Sequence, residues 1–303
     1  MKVEQTYGIA ISLLCLLSGY TRQAYYKQWR FKEKCQLRGE LIIQQVMDYR
    51  KVQKRVGTVK LLWLMRPFLK QHEISIGRDC LFDLLRFNGL LIGKGKSNKP
   101  KTTDSRHWMK KHPNLIQNLT PVMAGGLWVS DITYIELSQG HSYLSLVTDA
   151  YSRKIVGFHL SEQLTAAGPV KALEMAIGAC GDTEGLIHHS DRGSQYCCND
   201  YVHILQENKI SISMTQSGDP RDNAKAERVN GVLKGELLED QYTDITAASI
   251  AVGRAVNTYN YLRPHRSLDM LTPAMAHSKT NYLKHHWKSP YQRKLEKEAI
   301  MDG

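Results

Sequence analysis

The sequence predicts an α/β protein in which a mixed sheet with flanking helices follows an all-α region of helix-turn-helix spacing. Three observations predict it. Near Leu127 helical spacing gives way to runs of β-branched and aromatic residues, and from there three strands are followed by helix, strand, helix, strand. The charge divides at the same place: residues 1–120 hold 23 Lys/Arg against 8 Asp/Glu, net +15, whereas residues 121–303 hold 18 against 21, net −3. The 303 residues allow two or three folded units. A basic module joined to an acidic one points to nucleic acid as the partner.

Taking the elements in order, Ile9 to Leu17 reads as a short apolar helix and Ser18-Gly19-Tyr20 as a tight turn. Thr21 then caps a second, polar and basic helix through Arg22, Gln23, Tyr25, Tyr26, Lys27 and Arg30. That is the spacing of a DNA-binding helix pair, with Thr21, Arg22, Gln23, Tyr26 and Lys27 as its candidate contacts. A second pair follows, with Leu61, Leu62, Leu64 and Met65 in one helix, Leu81, Leu84 and Leu85 in the next, and Asn88-Gly89 as its C-cap. Gly93 to Lys101 has the composition of a cationic linker.

Strands are expected at Trp128–Ile135, Tyr143–Thr148, Lys154–Leu160, Leu186–His189 and Ile210–Met214, and helices at Thr165–Cys180, near Asp200–Asn208 and over most of Asp222–Tyr261. The expected division is a helix-turn-helix DNA-binding region 1–93, a basic linker 94–125, a catalytic core 126–280 and a basic tail 281–303.

Composition narrows the function classes. The apolar run Ile9 to Leu17, broken by Ser12, falls well short of the roughly 20 residues a membrane helix needs. Glu4 ahead of it, and the lack of a small-x-small site after Leu17, speak against a secretory leader. Six cysteines without C-x-x-C spacing fit a reducing cytoplasm rather than a disulfide framework.

Three acidic residues stand where a packed sheet presents chemistry: Asp131 in the first strand, Asp191 just beyond Leu186–His189, and Glu227 on the helix after Asp222-Asn223. There are 59 residues between the aspartates and 35 between Asp191 and Glu227. Carboxylates converging from two strands and a helix repel one another unless a cation joins them, and hard oxygen ligands favour magnesium or manganese. Two such ions can serve the two oxygens of a phosphodiester exchange.

On the helical wheel Asn223, Glu227, Asn230, Gly231 and Lys234 share a polar face, and Ala226, Val229, Leu233 and Leu237 an apolar one. Lys234 lies two turns beyond Glu227, about 10.5 Å along the axis. It fits a phosphate-gripping cation or an ordinary solvated lysine. Asn223 and Arg228 flank Glu227 as further candidate DNA contacts.

Some residues invite other readings. Adjacent His188 and His189 on a strand point to opposite faces and, with Cys197, Cys198 and His203, lack zinc-ligand spacing. Asp149 to Arg153 reads as a turn. Trp63, Trp108 and Trp287 read as core or interface packing.

Four motifs in order carry a resemblance: Trp128-x-x-Asp131-Ile132-Thr133-Tyr134; His189-Ser190-Asp191-Arg192-Gly193-Ser194-Gln195-Tyr196; Asp222-Asn223-Ala224-x-Ala226-Glu227; and Tyr259-Asn260-x-x-Arg263-Pro264-His265-x-x-Leu268 with Thr272-Pro273. Together the chain resembles the transposases of bacterial insertion sequences, whose catalytic domain is similar to retroviral integrase. The resemblance implies a ribonuclease H-like core in which Asp131, Asp191 and Glu227 bind two magnesium ions, cut DNA at the element ends and join it to a target. Lys234 matches the family's basic residue after the glutamate.

The resemblance further implies a homo-oligomer on DNA in the bacterial cytoplasm, at the nucleoid, and a possible partner: a helix-turn-helix protein from an upstream frame. The N-terminal His-His-Cys-Cys module of retroviral integrases is absent from this sequence. Two other classes remain: a hydrolytic nuclease of the same fold, separated by the absence of inverted repeats flanking the gene, and a DNA-binding protein with an inert site, which requires a lost carboxylate.

Overall fold

The computed structural model describes residues 10–93, 107–117, 119–216 and 223–279. Ile9, linker residues 94–106 and 118, Asp222, Trp287 and the tail 281–303 lie outside the described residues. The chain divides into two compact units, Met1–Val52 with Val56–Ile92, and Gln53–Arg55 with Gly93–Gly303. No helix among the described residues is long and apolar enough to cross a membrane.

The first unit is all helix: α1 (Ile11–Leu17), α2 (Arg22–Val52), α3 (Thr58–Leu64), α4 (Arg66–Gln71) and α5 (Arg78–Phe87). Gly19 takes the left-handed conformation, φ +69°, that ends α1. Thr21 Oγ1 accepts from Ala24 N–H at 3.1 Å, as an N-cap does. The helix so begun does not stop near Arg30 but runs to Val52, because no proline interrupts it and its second half buries Ile42 and Val46 against Leu61, Met65, Leu81 and Leu85. Tertiary burial extends it where local signals gave no end. At the other end of this core, Gly89 (φ +66°) closes α5, with Leu90 N–H bonded to Leu85 O at 2.7 Å.

The second unit is built on a five-stranded sheet of order β3-β2-β1-β4-β5: β1 (Leu127–Glu136), β2 (His141–Asp149), β3 (Ile155–Ser161), β4 (Ile187–Ser190) and β5 (Ser211–Met214). β1, β2 and β3 are antiparallel neighbours, while β4 and β5 run parallel to β1. This is the ribonuclease H-like arrangement, and it puts the long β1 at the centre.

Alternate β1 residues face opposite layers. Trp128 and Ile132 join α6 (Ala167–Ala179) and α8 (Asn199–Glu207) through Ala172, Leu173, Ala176, Tyr201 and Leu205. On the other side Ile135 packs with Val229 of α9 (Ala224–Val232) and Val252 of α10 (Ile245–Asn257). Gly157 of β3 lets α6 approach closely: a Cβ there would lie 2.0 Å from the Ala172 carbonyl oxygen.

Both sheet edges are met by groups from outside the sheet. On β3 the Asn260 side chain bonds both the N–H and the C=O of Ile155, each at 2.9 Å. On β5 Met214 N–H donates to Pro113 O at 3.2 Å, from a segment, 107–117, that also sends Leu115 N–H to Ser213 Oγ.

Helices do fill most of Asp222–Tyr261, but with changes of winding. α9 stops at Val232 and continues as a π turn, Leu233–Leu237, closed by Leu238 N–H on Leu233 O at 2.8 Å. A second π turn, Thr258–Leu262, ends α10. A short α7 (Ser194–Cys197) and α11 (Pro273–His277) complete the unit, the latter capped by Thr272 with Pro273 at its first position. Trp108 is not in the core: it is 92 % exposed.

Candidate active site

Asp131 projects from the middle of β1 toward α9. Its Oδ2 accepts from Asn230 Nδ2 at 2.7 Å and its Oδ1 from the Ile132 N–H at 3.0 Å. Burial, then the neighbouring Asp191 charge, pushes its carboxyl up to about 7; the bonds from Asn230 and Ile132 oppose the rise, and Glu227 adds a smaller push.

Asp191 follows the last residue of β4, where a parallel strand ends and a loop is free to present chemistry. Its Oδ1 accepts the Gly193 N–H at 2.9 Å. A Cβ at residue 193 would lie 3.0 Å from that oxygen, a tight contact that glycine avoids. Glu227 is exposed on α9, on an open cleft it shares with Ala224, Arg228, Gly231, Val232 and Glu236.

Asp191 and Glu227 therefore both lie within electrostatic reach of Asp131. Among the described residues, however, no group of three His, Cys, Asp or Glu side chains is drawn tightly enough to enclose a metal ion. The donor set nevertheless fits a hard divalent cation. It is all carboxylate, and the raised Asp131 reflects first the burial of its charge and then repulsion by Asp191, both of which such a cation would offset.

The raised carboxyl has a measurable consequence in metal-free protein. The unfolded carboxyl titrates near 3.8 and the folded one near about 7, so between them the folded state holds more protons. Stability is therefore expected to fall as pH rises from about 4 through about 7. Urea melts of the full chain across that range should show the fall, and Asp131→Asn should flatten it. An equally steep fall in the variant would assign it elsewhere.

The wheel's polar face is not solvated throughout. Asn223 and Asn230 are buried, Asn223 Nδ2 donating to Ser130 O at 2.9 Å, so two asparagines fasten α9 along β1. Lys234 lies on the π turn rather than on a continuous α-helix, which changes its angle to Glu227. Its Nζ donates to Tyr134 O at 3.0 Å and sits 3.4 Å from the centre of the Tyr134 ring. Arg228 is exposed beside Glu227, and in the first unit Thr21, Arg22, Gln23, Tyr26 and Lys27 are all exposed.

Sequence reasoning placed His188 and His189 on opposite faces of their strand but did not find the partners that bury them behind the site. His188 Nε2 meets Ser130 Oγ at 2.7 Å and Tyr201 Oη at 2.9 Å, and burial pulls its pKa down to about 3, so it is a neutral core group. His189 turns to the other face and meets Ser213 Oγ at 2.8 Å. Asn230 carried one available signal, its place three residues after Glu227 on the same helix face. Asp149 is a turn residue, its Oδ1 accepting from both Ser152 N–H and Oγ at 2.7 Å.

Two models described as integrase core domain match residues 121–220 and 208–273, between them half of the chain. The insertion element IS600 uncharacterized 31 kDa protein of Shigella sonnei is 33% identical over 266 residues, covering 86% of this chain and 96% of that protein. A transposase for insertion sequence element IS629, also from Shigella sonnei, is 30% identical over 225 residues, 73% of this chain and 74% of that one. Among solved structures, the HTLV-2 integrase catalytic core domain in complex with magnesium aligns with 52% of this chain and 99% of its own, at 17% identity and a TM-score of 0.42.

Proposed function

The chain belongs to the insertion-sequence transposases built on an integrase core domain, enzymes of polynucleotidyl-transferase type, and we propose that Asp131, Asp191 and Glu227 are its catalytic carboxylates, cutting DNA at the element ends and joining it to a target. The observation that carries this reading is the Asn230 bridge. It fastens the helix bearing Glu227 to Asp131, the same carboxyl that the Asp191 charge raises. Bound between these carboxylates, two Mg2+ ions (or Mn2+) would supply activation of the attacking hydroxyl and stabilisation of the departing oxygen.

The protein's own work is positional. β1 and Asn230 hold Asp131, the Gly193 N–H holds one Asp191 oxygen, and α9 carries Glu227 to the cleft. Arg228 and Lys234 supply cations to nearby phosphates, while the buried Asn223 fixes where the helix begins. In the N-terminal region 1–93, Thr21, Arg22, Gln23, Tyr26 and Lys27 recognise the element end, with the linker 94–125 and tail 281–303 adding non-specific charge.

Two ends must be cut and joined together, so the working form is a homo-oligomer on DNA. It acts at the nucleoid in the bacterial cytoplasm, with an upstream-frame helix-turn-helix protein as a second partner. The test is the full chain with Mg2+ and a duplex of the inverted repeat flanking its gene. Nicking at the repeat boundary and transfer of the freed end into a second duplex are expected. No metal-dependent nicking would overturn the reading, and nicking without transfer would leave a hydrolytic nuclease.

The DNA contacts separate by salt dependence. Lys234→Ala should weaken binding and reduce the slope of log affinity against log salt by about one unit, and Arg22→Ala with Lys27→Ala by about two. Lys279→Ala, an exposed lysine far from the carboxylates in sequence, should do much less. Equal effects of Lys234→Ala and Lys279→Ala would mean that general charge, not position, is being measured.

A further inference from the structure

The fourth motif, Tyr259 to Ala274, supplies none of the three carboxylates, yet its Tyr259, Asn260, Arg263 and His265 are buried, and Asn260 and Arg263 are hydrogen-bonded. We propose that Arg263 is a positioning residue for the strand-cutting reaction: by gripping Glu236 it sets the helix that carries Glu227. This rests on the catalytic assignment of Glu227 above.

Arg263 is 4 % exposed. Its Nε donates to Glu236 Oε2 at 2.9 Å and its Nη2 to Glu236 Oε1 at 2.8 Å, so a planar fork meets both carboxylate oxygens. The remaining nitrogen, Nη1, meets His265 Nε2 at 2.9 Å, and the His265 ring stands edge-on to Tyr259 at 4.8 Å. The arginine is itself anchored. Its N–H closes the second π turn on Thr258 O at 2.8 Å, and Asn260 of that turn is bonded twice to Ile155 of β3.

The other end of the grip explains its purpose. Glu236 belongs to the π turn that prolongs α9, and it lines the same cleft as Glu227. Asn223, Asn230 and Lys234 pin the segment to β1, and Glu236 then ties its far end to the sheet through Arg263. A π turn is an uncommon winding, found mostly as a single turn within α-helices and frequently at functional sites. Without a grip on Glu236 the segment is free to rewind as α-helix, turning Lys234 and shifting the stub that holds Glu227.

A buried ion pair is weak evidence for stability but well suited to specifying one arrangement. The fork matters as much as the charge, because lysine cannot bond both oxygens in a fixed plane.

The test uses the full chain. Arg263→Lys keeps the charge and loses the fork. The double variant Glu236→Gln, Arg263→Gln removes both charges together and leaves no lone buried ion if Arg263→Lys fails to fold. Thermal unfolding, affinity for the inverted-repeat duplex, cleavage turnover per folded molecule, the Mg2+ concentration for half-maximal cleavage, and Mn2+ binding without DNA are measured.

Displacement of Glu227 should lower turnover roughly tenfold or more. It should also raise the half-maximal Mg2+ and weaken Mn2+ binding, with DNA affinity within about twofold by the same positional argument. A merely structural role lowers the melting temperature and the folded fraction but leaves turnover per folded molecule and both metal readings unchanged; that result overturns the proposal. If the wild-type chain does not cleave, or Glu227→Gln still does, the catalytic assignment fails instead.

Discussion

Replacing Asp191 with Asn is expected to reduce metal-dependent cleavage of end DNA by on the order of a thousandfold, about 4 kcal/mol of lost transition-state stabilisation, with DNA affinity nearly unchanged. Asp191 sits on a loop, one oxygen held by the Gly193 N–H. An asparagine can keep that bond through its carbonyl oxygen while losing the charge a cation needs. Glu227→Gln should cost as much in cleavage and nothing measurable in folding, since Glu227 is exposed.

Asp131→Asn should cost as much again, yet raise the stability of metal-free protein near neutral pH, because it removes a carboxyl whose ionisation the fold opposes. Activity lost together with stability gained is the signature of a functional carboxylate. Normal cleavage by the Asp191→Asn protein would falsify the assignment.

The largest expected effect on folding comes from Gly157→Ala. The added methyl carbon would stand 2.0 Å from the Ala172 carbonyl oxygen and 3.0 Å from two atoms of Ala176. Backbone cannot yield as a flexible side chain does, so α6 must lift from β3, opening the layer formed by Ala172, Leu173 and Ala176. A cost of at least about 3 kcal/mol follows, at the upper end of overpacking penalties. Urea unfolding would read it directly. Gly178→Ala, on the same helix with open space around its Cβ, is the control and should be neutral or stabilising. Equal destabilisation by both would remove close packing as the cause.

The strands were legible because their information is local. Trp128 to Ile135 is rich in β-branched and aromatic residues, and the observed Leu127–Glu136 adds one residue at each end. The places of Asp131 and Asp191 in the fold were legible for a related reason, since one sits in a strand and the other just past a strand's end. What escaped depends on partners remote in sequence. Asn223 and Asn230 look solvated on a wheel, and only the presence of Ser130 and Asp131 opposite turns them inward. The extension of α2 from Arg30 to Val52 comes from packing against later helices, through Leu61, Met65, Leu81 and Leu85, and the π turns involve groups such as Glu236 and Arg263, 27 residues apart. Trp108 was read by residue type as core or interface packing, and its exposure excludes the core, because burial is a property of surroundings.

The two stoppered edges of the sheet bear on how this protein behaves in concentrated solution. An open strand edge offers unpaired N–H and C=O groups to any other chain, and it is the usual template for edge-to-edge aggregation. Here the Asn260 amide occupies both groups of Ile155, acting as one residue of a missing sixth strand, and Pro113 takes the Met214 N–H while having no N–H of its own to pass the ladder on. At these two positions the sheet therefore offers no free backbone group for another chain to extend.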